Sequence, residues 1–148
     1  MKQQSSTYSN RGSLGGCKIL LLLLCATALV SFSANKLFTD FSGKWYSGSA
    51  NASFDIKLIQ VKGRVSGSHC AIQLGGSKVD CVLKDNDVTI IGNANNSTSV
   101  KVTFISQFSQ KKGTATITKM NDSTLQWRII TKPKGEYYLP NQMVLNKR

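Results

Sequence analysis

From Phe38 onward, apolar and polar residues alternate with a period of two, and runs of β-branched and aromatic residues are separated by Gly, Asn, Asp and Ser. Such alternation sends successive side chains to opposite faces of an extended strand, so the pattern predicts strands and no helix. Phe54, Ile56 and Leu58 alternate with Asp55 and Lys57, after which Ile59 and Val61 follow with the phase changed by one. That change predicts a bulge or twist near Leu58 and Ile59. Lys62-Gly63-Arg64 reads as a tight turn into a strand from Val65 to Leu74. Gly75-Gly76-Ser77 turns into Lys78 to Lys84, and Asp85-Asn86-Asp87 turns into Val88 to Gly92.

The second half keeps this rhythm. Val100, Val102 and Phe104 alternate with Lys101 and Thr103, and Lys111-Lys112-Gly113 makes a turn. Ala115 and Ile117 alternate with threonines, and Asn121-Asp122-Ser123 leads into Leu125, Trp127 and Ile129. With Phe41 to Gly48, the count is about eight strands joined by short links, which makes sequential neighbours antiparallel. The predicted fold is all-β: one up-and-down meander, closed as a barrel so that no edge is exposed, with an open sandwich as the alternative. Both prolines lie at or beyond Pro133. Tyr137 to Pro140 and Met143 to Leu145 therefore read as an edge strand or a strap, within a C-terminal strap over 133–148.

Residues 1–33 stand apart from this pattern. A polar leader with Lys2, Arg11 and Lys18 precedes an apolar run from Ile19 to Val30 and the small residues around Ser31-Phe32-Ser33-Ala34. That order is a secretory signal with cleavage expected after Ser33, leaving a domain over 34–148. The run is short of the ~20 residues of a spanning helix, so no membrane span is expected after cleavage; an uncleaved anchor is the alternative. Acylation at Cys25 is disfavoured, because no small residue precedes it in the leucine run. The expected location is secreted or periplasmic.

Export changes the meaning of composition. The chain of 148 residues carries 19 Lys+Arg against 7 Asp+Glu, a formal charge of +12. Without Lys2, Arg11 and Lys18, 16 basic residues face the same 7 acids and the charge is +9, so the basic bias belongs to the domain. Cys70 and Cys81 are the only cysteines beyond the signal and are expected to form a disulfide. His69 and this pair are too few ligands for a metal, and no metal or cofactor is expected. Asp85-Asn86-Asp87 lacks the further oxygen ligands of a calcium loop. Asn51, Asn95, Asn96 and Asn121 open glycosylation sequons, modified only in a eukaryotic secretory pathway.

Catalysis is disfavoured by subtraction. The chain has one His, and the sequence offers no catalytic partner for His69. No G-x-S-x-G elbow, H-E-x-x-H pair or glycine-rich phosphate loop is present. No catalytic residue is expected, and the protein is read as a non-enzyme. Nucleic acid is not an expected partner, since export separates the chain from it and no aromatic-basic RNA motif occurs.

Gly43-Lys44-Trp45, between Phe41 and Tyr46, resembles the first-strand G-x-W signature of lipocalins and other calycin barrels. The resemblance implies that Trp45 closes the barrel floor and that an Arg from a late strand, here Arg128, packs on it. The chain is short for a lipocalin, shows no C-terminal helix and lacks the T-D-x-x-Y pattern; its length is nearer that of avidin-like barrels. Across the domain, Ser68-His69-Cys70-Ala71-Ile72, Val79-Asp80-Cys81, Lys112-Gly113-Thr114-Ala115, Leu125-Gln126-Trp127 and Tyr137-Tyr138-Leu139-Pro140 also resemble small exported bacterial proteins without an assigned activity.

Two functions are expected from these features. The first is a non-catalytic binding module, inhibitor-like or immunity-like, that engages an acidic protein or an anionic polymer through Lys111, Lys112, Lys132 and Lys134. Edge protection and solubility are the competing role of those lysines. The second is a calycin-like carrier holding a small apolar ligand among Trp45, Tyr46, Phe104, Trp127 and Arg128. Core packing is the competing role of Trp45 and Trp127.

Overall fold

The computed structural model describes residues 39–84 and 87–148; the expected signal with its cleavage point, and Asp85 and Asn86, lie outside them. The alternating segments form β1 (Gly43–Gly48), β2 (Ser53–Val61), β3 (Arg64–Gln73), β4 (Lys78–Cys81), β5 (Ile90–Asn93), β6 (Ser99–Ile105), β7 (Lys112–Asn121), β8 (Thr124–Thr131) and β9 (Gln142–Lys147). Antiparallel pairs join β1 to β2, β2 to β3, β3 to β5, and then β5 through β9 in order, and β9 pairs back with β1. The result is a closed barrel of eight staves, with β4 as an additional strand on β3. Closure leaves no open edge around the barrel.

The membership of those staves differs from the expectation. β4 and β5 occupy successive stretches of the same edge of β3: Cys70 to Gln73 pair with β4, and Arg64 to Gly67 pair with β5. The tail supplies the remaining stave. Only 133–141 crosses the barrel end as a strap, whereas β9 is bonded on both sides, to β8 and to β1. Pro140 lies just before β9 and removes none of its donors.

The expected bulge at Leu58 and Ile59 is absent. β2 and β3 run in unbroken register from Ser53–Ile72 to Val61–Arg64. Ile59 and Val61 stay in phase and simply face outward, 54% and 62% exposed. Register shifts occur in β7–β8 instead, at Thr114/Ala115 and Lys119/Asn121. The turn between β2 and β3 is the two-residue Lys62-Gly63, both with positive φ, which matches the twist of the flanking strands.

Inward side chains fill the barrel. Trp45, Phe54, Ile56, Leu58, Val65, Ile90, Val102, Phe104, Ile117, Leu125, Trp127 and Leu145 form one buried cluster. The Trp127 ring meets Phe54 and Phe104 edge-on, at centroid distances of 5.4 and 5.3 Å. Gly113 stands opposite Phe104, and a Cβ there would collide with that ring. Before β1, Phe41 is buried and accepts a hydrogen bond from Trp45 Nε1 at 3.1 Å. At the other end the strap buries Leu139, and Trp127 Nε1 donates to the Pro140 carbonyl at 2.9 Å. Each such ring contributes about 1.5–3 kcal/mol by leaving water.

Cys70 and Cys81 are register partners and are disulfide-bonded, on the outward side of their strands. The bond staples the short β4 to β3. Replacing both cysteines with serine is expected to cost about 2–3 kcal/mol, since it frees a loop of a dozen residues in the unfolded chain. Urea melts of the variant against the oxidised protein measure this.

Candidate functional site

At the seam where β4 leaves β3 and β5 begins, four polar side chains are buried inside the barrel: His69, Asp80, Thr89 and Ser106. Strand alternation puts His69 and Asp80 inside because their neighbours Cys70 and Cys81 face outward. Thr89 N–H donates to the Gly67 carbonyl and Ile105 N–H to the Thr89 carbonyl, which fixes Thr89 between β3 and β6. Among the described residues β4 pairs only with β3, and the Asp80 side chain links it to the facing loop and strap.

Asp80 accepts from every side. His69 Nε2 lies 3.2 Å from Oδ1, and Gln107 N–H donates to the same oxygen at 2.6 Å. Ser106 Oγ donates to Oδ2 at 2.6 Å and Tyr138 N–H at 3.2 Å. Burial pushes the Asp80 carboxyl up, but the bonds from His69, Ser106, Tyr138 and Gln107 outweigh it and hold it at about 2. A carboxylate only accepts, so His69 Nε2 carries a proton. In the neutral ring Nδ1 then accepts from Thr89 Oγ1 at 2.8 Å.

His69 therefore has the acid and hydroxyl neighbours that the sequence did not reveal. Hydroxyl, imidazole and carboxylate stand in the order of a nucleophilic triad. Access decides what they can do: Thr89 is 3% exposed, His69 1% and Asp80 0%, so no acyl group reaches the hydroxyl in this structure. The bonds of the cluster tie β3, β4, the β6–β7 connection and the strap together. Asp80 belongs to β4, Thr89 precedes β5 and Ser106 follows β6, and no spacing in the sequence links them.

The residues expected to line a ligand space are distributed differently. Trp45, Phe104 and Trp127 are 1%, 0% and 0% exposed and pack on other core side chains. Tyr46 points outward, with the Arg148 guanidinium 3.6 Å from its ring centre. Arg128 does not pack on Trp45: alternation puts Trp127 inside and Arg128 outside. The cation over Trp45 is Lys147, with Nζ 5.4 Å from the ring centre. An apolar groove of about 220 Å³ lies at the strap end, lined by Phe54, Ile72, Leu74, Tyr138, Pro140 and Met143. It is smaller than the ~300–1,000 Å³ of most small-molecule sites.

Lys111, Lys112, Lys132 and Lys134 are all exposed. The Thr114–Thr131 pair aligns the start of β7 with the end of β8 and brings the four to the same end of the barrel. On the strap, Lys78 Nζ lies 3.9 Å from Glu136 and 5.1 Å from the Tyr138 ring centre. Phe108 packs on Tyr138 at 4.6 Å. Among the described residues, no group of His, Cys, Asp and Glu is arranged to hold a metal ion. The chain matches no family model, no curated protein and no solved structure.

Proposed function

We propose that the protein is an exported, non-catalytic binding module whose basic outer surface engages an anionic macromolecule. The observation that carries this reading is the division of labour between the two faces of the barrel. Inside, side chains occupy the space, and the buried His69–Asp80 cluster is committed to hydrogen bonds within the protein. Outside, basic residues outnumber acids, and three of the acids are already neutralised, Asp55 by Arg148, Asp122 by Lys119 and Glu136 by Lys78. The surplus positive field raises the local concentration of anionic partners and speeds encounter.

A carrier of small apolar molecules gains little support, since the rings expected to line its cavity are the core itself. The test compares dextran sulfate with unsulfated dextran on a surface plasmon resonance chip. Binding to the sulfated polymer alone is expected; equal binding to both, or to neither, overturns the reading.

A further inference from the structure

The positive charge is not spread evenly around the barrel. No acidic residue occurs in β3 or in β5 through β9; the acids within strands are Asp55 in β2 and Asp80 in β4, and Asp80 is buried. Register lines up the outward cations of these acid-free strands. Arg64 stands opposite Asn93. Lys101, one residue past the Gly92–Val102 pair, stands opposite Thr116, Thr116 opposite Arg128, and Arg128 opposite Gln142. Arg64, Asn93, Lys101, Arg128 and Gln142 are exposed, and their in-strand neighbours Val65, Val102 and Trp127 are buried, so the row faces outward.

Strand spacing sets the scale of this row. Cations on every second strand stand about 10 Å apart, with the amide of Asn93 and the hydroxyl of Thr116 between them. The adjoining row adds the hydroxyls of Ser66 and Thr103. None of Arg64, Lys101 and Arg128 forms an ion pair among the described residues.

We propose that this wall binds a linear acidic polysaccharide, with Arg64, Lys101 and Arg128 contacting its anionic groups. The proposal rests on the reading of the protein as an anion-binding module and names the face and the partner class. A polysaccharide with one acidic group per disaccharide presents anions on this scale and hydroxyls between them, which the intervening Asn and Thr side chains match. The row itself carries no apolar side chain to seat the anchors of a protein partner, and in the adjoining row the exposed Ile91 stands between Ser66 and Thr103. Because tilted strands carry the row obliquely around a curved wall, a flexible chain follows it where a rigid flat surface does not.

The test uses hyaluronan, which carries one carboxylate per disaccharide, and polyglutamate, measured by microscale thermophoresis on the oxidised domain. The triple variant Arg64→Ala/Lys101→Ala/Arg128→Ala is expected to lose at least about tenfold in hyaluronan affinity, having lost three anion contacts. Arg64→Lys/Arg128→Lys, which keeps the charge, stays within about threefold, as does Lys111→Ala/Lys112→Ala/Lys132→Ala/Lys134→Ala. Near-ultraviolet circular dichroism checks that each variant is folded. If the four-lysine variant loses binding and the triple variant does not, anion binding stands and this wall is the wrong face. Tighter binding of polyglutamate than hyaluronan overturns the polysaccharide assignment in favour of an acidic protein. If the wild type binds neither polymer, nor dextran sulfate, the underlying reading falls with it.

Discussion

Asp80→Ala is expected to destabilise the barrel by about 3–5 kcal/mol, because it leaves a buried imidazole, a hydroxyl and backbone donors without their acceptor. The carboxylate receives His69, Ser106, Gln107 and Tyr138, which belong to β3, the β6–β7 connection and the strap. Asp80→Asn recovers little, since its amide would turn a donor toward other donors. Urea denaturation measures both variants, and an Asp80→Asn protein as stable as the wild type would contradict the arrangement. The same carboxylate sets an acid limit. Its folded pKa of about 2 lies below the ordinary value of 3.8, so its contribution, on the order of 2 kcal/mol, is fully present above pH ~4. It is lost as the pH falls through 2. In Asp80→Ala this part of the acid sensitivity disappears.

Trp127→Ala is expected to cost a similar amount, about 3–5 kcal/mol, for a different reason. The ring is completely buried between Phe54 and Phe104, and its Nε1–H holds the strap through the Pro140 carbonyl. Removing it empties the middle of the core and releases the strap together. Trypsin reports the second effect at the exposed Lys134, which precedes Gly135 and is cleavable, whereas Lys132 precedes proline and is not: cleavage at Lys134 accelerates in Trp127→Ala. Trp127→Phe keeps most of the packing but forfeits the hydrogen bond, at a cost of about 1 kcal/mol from that bond. An Ala variant with unchanged stability and unchanged cleavage would refute this role.

Period-two alternation and turn chemistry make the antiparallel meander legible in the sequence, because both are local properties. Closure follows only from the general advantage of removing open edges, and the β1–β9 pairing that makes it has no local signal. Lys62-Gly63 and the Cys70–Cys81 pair belong to the same class, being set within one hairpin or one pair of neighbouring strands. What was not legible depends on how distant strands meet. The apparent phase change at Ile59 and Val61 reads as a bulge because apolar residues are expected inside, yet both face water in an unbroken register. The tail reads as an edge because it contains proline, and no local signal shows that β9 is bonded on both sides.

The sites follow the same division. Trp127 is legible as a core residue from its phase with Leu125 and Ile129, and Trp45 from the barrel-closing place of its G-x-W run. The family resemblance places Arg128 on the floor against its own phase, and Arg128 faces outward as its phase requires. His69 has no evident partner in the sequence because Asp80, Thr89 and Ser106 lie 11, 20 and 37 residues away, and the β3–β4 hairpin and the β3–β5–β6 neighbours together bring them to it. The outward row of Arg64, Lys101 and Arg128 is invisible for the same reason, since it exists only through the β3–β5–β6–β7–β8 register.

The affinity of the wild-type domain for dextran sulfate as a function of salt tests most directly whether its surface charge is its function. Binding is expected to weaken at least about tenfold between roughly 50 and 200 mM salt, as counterions compete with the basic side chains. An affinity that stays constant over that range would contradict an electrostatic binding module.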